Sequence, residues 1–352
     1  MGRVKVQPAT RAPRARPIVR GVEHGVALLV VALLAACPTA SPRADAGPGD
    51  PASGMRIEPG GRLLIAARLR DRLAERRSQA PDARGAVEMR YGGDALQKLD
   101  YWRPAAAGSP LIVFVHGGGW KRGDKRNSVG EKPAHFRPQG YAFASVNYRL
   151  VPAATVEAQA QDVATALAFL IARAGTLGVD ARRVVLMGHS AGAHLVALVG
   201  TDMRYLQAAG LGPESLRGII PLDGACYDVP RQIAEGGDFM HDTYLQAFGR
   251  ERERQIALSP IHHAAPPNAP AFLILHVQRA DGSAQSRALA EALTKAGTTA
   301  EVHGFDGAGL RGHIEINRRL GDPAYAATPV VDEWLRRVFA PGQRAQTGTA
   351  AP

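Results

Sequence analysis

The chain has 352 residues, 45% of them hydrophobic and 21% charged; this balance describes a folded globular protein and excludes a disordered or collagen-like one. Its formal net charge of +11 would suit a nucleic-acid binder, but most of the excess positive charge sits in two blocks, one before residue 21 and one from Arg62 to Arg84. No zinc-knuckle, homeodomain or aromatic RNA-binding pattern accompanies them, so nucleic acid is not an expected partner.

Residues 1–36 read as an export signal. Six basic residues precede an eleven-residue apolar run, Val26 to Ala36, which is too short to span a bilayer but suits a secretory h-region. Leu34-Ala35-Ala36-Cys37 resembles the lipobox of bacterial lipoproteins, which implies lipidation of Cys37 and an exported, envelope-anchored protein. The alternative is an ordinary signal peptide giving a periplasmic or secreted protein. Either way, the expected membrane contact is the lipid anchor alone. Residues 37–60, rich in Pro, Ala, Ser and Gly, read as a flexible tether, and 61–84 as a basic amphipathic helix with Leu69 and Leu73 one turn apart. Cys226 is the one other cysteine, so lipidation or removal of Cys37 leaves no disulfide to form.

From residue 85 strand-like and helix-like segments alternate, the mark of parallel βαβ construction. Strands are expected at 87–91, 98–102, 110–116, 141–147, 182–188, 217–223, 270–277 and 299–305, with helices at 156–172, 285–296 and 328–339. These imply a three-layer α/β sandwich over a mostly parallel eight-stranded sheet. The third strand runs straight into His116-Gly117-Gly118-Gly119-Trp120, where consecutive glycines free the backbone to turn N–H groups toward a ligand. No Lys-Ser/Thr pair follows, as a phosphate-binding loop would need. The fifth strand ends in Gly188-His189-Ser190-Ala191-Gly192, and a helix-like apolar run follows at once. A G-x-S-x-G sequence in this strand–turn–helix setting makes Ser190 the candidate nucleophile.

The two motifs, about seventy residues apart, resemble the α/β-hydrolase esterases of the hormone-sensitive-lipase and carboxylesterase group. Around Val146-Asn147-Tyr148-Arg149-Leu150 the chain is also similar to bacterial esterases and formamidase-like enzymes. The resemblance covers about 85–340. It implies oxyanion donors at the N–H groups of Gly118, Gly119 and Ala191, with His116 a structural member of its loop. It further implies that the triad acid follows a late strand and that the base comes last in the chain. On this pattern Asp281 is the expected acid, with Asp223 and Asp306 as rivals; the Val-Pro turn of many relatives is replaced here by Gly282-Ser283.

His313, expected in a loop beyond the last strand, is the candidate base, with His303 its competitor. Trp120 and Tyr227 are candidates for the acyl or alcohol pocket, or else for the core. His262-His263 and the remaining histidines lack metal-ligand spacing, so neither metal nor cofactor is expected. Residues 227–259 read as a small insertion over the site, and 341–352 as a disordered tail. The expected activity is hydrolysis of small acyl or aryl esters, with formamide or peptide hydrolysis as the alternative on the same triad. A non-catalytic surface-binding protein is the remote alternative.

Overall fold

The computed structural model describes residues 85–340. Eight strands form one sheet: β1 (Ala86–Arg90), β2 (Lys98–Trp102), β3 (Ser109–Val115), β4 (Ala142–Val146), β5 (Val179–His189), β6 (Gly218–Leu222), β7 (Ala271–Gln278) and β8 (Thr299–Ala308). Their order is β1-β2-β4-β3-β5-β6-β7-β8. β2 is antiparallel to both β1 and β4, and every later pairing is parallel. Each strand lies within three residues of its expected bounds at either end.

β3 is buried along its whole length, so its alternating side chains feed two cores. Leu111, Val113 and Val115 face a core shared with α1 (Val156–Ala172) and α2 (Ala191–Thr201). Ile112 and Phe114 face the other core, where Trp334, Val331 and Ile316 pack. Period-two alternation on a strand covered on both faces requires this division. α1 starts where Thr155 accepts a hydrogen bond from the Ala158 N–H, the usual N-cap arrangement.

The insertion carries three short helices: α3 (Val229–Glu235), α4 (Asp238–Phe248) and α5 (Arg252–Ala257). Two expectations are corrected further along the chain. Helix α6 spans Ala280–Lys295 and so begins five residues before the expected start. Gly282 and Ser283 suggest a turn, but Gly282, Ser283, Gln285 and Ser286 are all buried in this helix, and packing overrides their low propensity. His313 stands on helix α7 (Gly309–Arg319), not in a loop; Gly307 (φ 120°) and Gly309 (φ 54°) make the turn into that helix. α8 (Ala327–Val338) closes the second core. The expected signal, tether, basic helix and tail lie outside the described residues.

Candidate active site

Ser190 sits between β5 and α2 at φ 56°, ψ −119°, a sparsely populated backbone conformation that holds the side chain clear of its neighbours. Two features keep it there. Its N–H donates to the Leu222 carbonyl at 3.1 Å, and its own carbonyl accepts from the His194 N–H at 3.2 Å. The turn also needs its glycines. A Cβ on Gly192 would lie 2.2 Å from the Val115 carbonyl oxygen, and one on Gly188 would lie 2.2 Å from the Gly192 carbonyl oxygen. Ala191 opens α2, so its N–H has no partner within the helix.

The 116–120 loop packs directly on this elbow. His116 is buried and stacks on Tyr148 with ring centroids 4.4 Å apart, while the Tyr148 hydroxyl donates to the His116 carbonyl. Burial pushes the His116 imidazole below its ordinary pKa, consistent with a structural member of the loop. Gly118 has φ 127°, and a Cβ there would meet the Arg122 carbonyl oxygen at 2.0 Å. Gly119 and Ala191 border the cavity beside Ser190. Gly118 does not border it; its carbonyl accepts the N–H groups of Lys121 and Arg122.

Trp120 borders the cavity although it is only 2% exposed. It packs edge-on against Phe248 of α4 and donates Nε1–H to His194 Nδ1 at 3.3 Å. His194 then donates from Nε2 to the Leu258 carbonyl; its pKa, pushed down by burial to about 4, keeps it neutral in that relay. Tyr227 is corrected. It is fully buried, does not border the cavity and belongs to the core, its ring lying under Gly224.

The acid is corrected as well. His313 Nδ1 lies 2.6 Å from Asp223 Oδ2. Asp223, immediately after β6, is completely buried, and its Oδ1 accepts the Val277 N–H at 3.1 Å. Burial alone would raise its pKa. The His313 hydrogen bond, the Arg279 charge and the Val277 N–H outweigh that effect and hold it below the ordinary carboxylate range. An ionised Asp223 requires His313 to donate from Nδ1, which leaves Nε2 as the basic nitrogen.

Asp281 contacts other groups: its Oδ2 accepts from Gln232 Nε2 at 3.1 Å, and its Oδ1 is 3.9 Å from Arg279 Nε. The early start of α6 puts Asp281 in its first turn, alongside α3. His303 is on β8, 41% exposed and 3.7 Å from Glu301, which removes it from the site. Asp306 accepts from Gln278 on the same edge of the sheet.

Sequence reasoning passed over Arg279. Its Nε is 3.3 Å from Asp223 Oδ2, and its Nη2 donates to the Gly224 carbonyl. The one available signal was its place just past a buried apolar strand, at the carboxyl end where sites of this fold gather.

Ser190, His313, Gly119, Ala191 and Arg279 all border one cavity of about 590 Å³, so a serine, an imidazole oriented by a buried carboxylate and the backbone of the glycine loop and helix start converge on a single space. This sheet order and this elbow decide the fold. The chain has the α/β-hydrolase fold.

A family model described as BD-FAE matches residues 99–226 of this chain. Esterase LipC of Mycobacterium tuberculosis is 30% identical over 200 residues, covering 54% of this chain and 49% of LipC. The kynurenine formamidase of Meyerozyma guilliermondii is 31% identical over 187 residues, 51% of this chain and 66% of that enzyme. The chain spans about half the length of LipC. Among solved structures, the thermophilic esterase Est2 of Thermogutta terrifontis superposes with TM-score 0.56 at 26% identity, covering 76% of this chain and 98% of its own. The same esterase has been solved phosphonylated by sarin, and that form matches at TM-score 0.55 and 25% identity.

Proposed function

We propose that this α/β-hydrolase is a serine carboxylesterase for small acyl or aryl esters. The observation that carries the reading is the buried Asp223–His313 pair, 2.6 Å long, facing the same cavity as the strained Ser190. Ser190 Oγ attacks the ester carbonyl while His313 Nε2 takes its proton. Asp223 stabilises the resulting imidazolium without itself becoming protonated. The negative charge on the tetrahedral oxygen falls to the N–H groups of Gly119 and Ala191, with Gly118 shaping their loop. Removing one such donor costs on the order of 100–1000-fold in rate.

His313 then gives the proton to the departing alcohol as the tetrahedral intermediate collapses to an acyl-enzyme. Water, activated by the same imidazole, attacks the acyl carbonyl, and loss of Ser190 Oγ releases the acid. The likeness to LipC and to the sarin-phosphonylated Est2 supports this chemistry. The test is fluorophosphonate labelling combined with turnover of nitrophenyl esters of rising chain length. Wild type should label and turn over, and Ser190→Ala should do neither. A Ser190→Ala protein retaining more than about a tenth of wild-type turnover overturns the assignment.

A second reading, aryl formamide hydrolysis on the same residues, is favoured by the likeness to the kynurenine formamidase. Comparing kcat/KM for an N-formyl anilide and the matched aryl ester separates the two.

We also propose that residues 1–36 direct export and that Cys37 is lipidated. The support is the basic stretch, apolar run and Leu34-Ala35-Ala36-Cys37 order in the sequence. Metabolic labelling with a palmitate analogue in a bacterial host should mark the wild-type chain and not Cys37→Ala. An unlabelled wild type reduces the segment to a plain secretion signal.

A further inference from the structure

Helix α7 carries the base on an unusually thin apolar footing. Of its eleven residues only Gly312 and Ile316 are buried, while Leu310 and Ile314 are 62% and 51% exposed. Hydrophobic burial of one isoleucine cannot by itself hold such a helix in one register. Polar contacts at two points take over. At the first, His189 Nε2 donates to the His313 carbonyl at 2.8 Å, and the two rings lie 4.5 Å apart.

The second contact is Lys132, a fully buried lysine. Its Nζ lies 2.6 Å from the Asn317 carbonyl, 2.8 Å from Asn317 Oδ1 and 3.4 Å from the Val129 carbonyl. It also sits 4.6 Å above the Phe114 ring. Among the described residues no carboxylate lies within 4.0 Å of it, in contrast to the buried Lys125, which Asp100 neutralises at 2.6 Å.

An ammonium buried without a counter-ion is costly. What offsets the cost here is helix geometry. The Asn317 carbonyl is one of the last four of α7, without a partner in the helix and at the negative end of its dipole. Asn317 lies one turn beyond His313 on the same helix, and its Nδ2 donates to the Ser128 carbonyl at 3.0 Å. The 128–132 segment and the end of α7 are therefore tied reciprocally. Burial also pulls the Lys132 pKa down to about 7, against the pull of Glu131.

We propose that Lys132 is a positioning residue for the base: by holding the end of α7 through Asn317, its amino group fixes the register of His313 against Asp223 and Ser190. The proposal rests on the serine-hydrolase reading, and the experiment separates the two. Lys132→Met keeps the length of the side chain and removes the charge. Asn317→Leu removes the side-chain part of the clamp, Oδ1 to Lys132 and Nδ2 to Ser128, and leaves the carbonyl, at a site only partly buried. Kinetics are expressed per active site titrated with fluorophosphonate, so misfolded protein does not count.

Displacements of about an ångström at a catalytic group cost up to 100-fold. Each single variant should therefore lose about 10–100-fold in kcat with KM within twofold, and the double variant should lose no more than the worse single one. Asn317→Asp keeps an acceptor for Lys132 but loses the Nδ2–H bond to Ser128, so it should retain more activity than Asn317→Leu. Amide exchange along α7 should quicken in Lys132→Met while β3 and β5 stay protected.

A merely structural lysine would lower thermal stability and leave kcat per titrated site unchanged, and that result overturns the proposal, as does an additive double variant. If Lys132→Met fails to fold, Asn317→Leu carries the same test alone. A wild type that neither labels nor turns over esters sinks the serine-hydrolase reading instead. The exchange rates of α7 would then still decide whether the clamp exists.

Discussion

At the residue scale, the geometry turns on which aspartate orients His313. Asp223 and Asp281 both approach Arg279, but only Asp223 reaches the imidazole. Asp223→Asn should keep the backbone geometry and lower kcat by about 10⁴, because the amide no longer selects the Nδ1–H tautomer. Asp281→Asn should cost less than tenfold, and the reverse order would return the acid to Asp281. Steady-state kinetics on one nitrophenyl ester decide it.

Asp223 also carries a pH signature. Its pKa is held below the ordinary carboxylate value, so its charge stabilises the fold above about pH 4, the unfolded value. That contribution is lost as pH falls through the lower, folded value. Wild type and Asp223→Asn should therefore differ in urea midpoint at pH 7 and converge as the pH falls through that lower value.

At the element scale, the elbow is a contact between backbones. α2 starts so close to β3 that Gly192 has no room for a methyl group beside the Val115 carbonyl. In Gly192→Ala either the helix start or the end of β3 must move, and both flank the oxyanion site. We expect a loss of at least about 100-fold in kcat together with a lower melting temperature. A variant with wild-type kcat would show that the elbow tolerates a wider turn.

At the scale of the whole molecule, the core opposite α2 can be perturbed at a point away from the cavity. Trp334 of α8 is 1% exposed, its ring under Gly218 in the core opposite α2, and it does not border the cavity. Trp334→Ala should cost about 3–5 kcal/mol. For a domain of this size that is roughly 6–20 °C in melting temperature. The molecules that remain folded at low temperature should still label at Ser190 at the wild-type rate. A large loss of labelling at full folding would mean that the second core reaches the site.

The sequence by itself determined the sheet and the elbow that presents Ser190. Runs such as Leu111–Val115 and Phe272–Leu275 are apolar at every position, so both faces must be covered, and parallel βαβ construction follows. Gly188, Ser190 and Gly192 are local in the chain, and so is the turn they specify. His313 could be picked out by chain order, although not the helix it stands on.

The tertiary structure decided the pairings between distant segments. Asp223 and His313 are ninety residues apart, and which aspartate reaches the imidazole depends on where α6 begins, a matter of packing against α3 and not of propensity. Tyr227 has the chemistry of a pocket residue and lies in the core for the same reason. Lys132 on Asn317 spans 185 residues. No local pattern distinguishes that lysine from a solvated one, because its burial is set by the sheet and the helix that close over it.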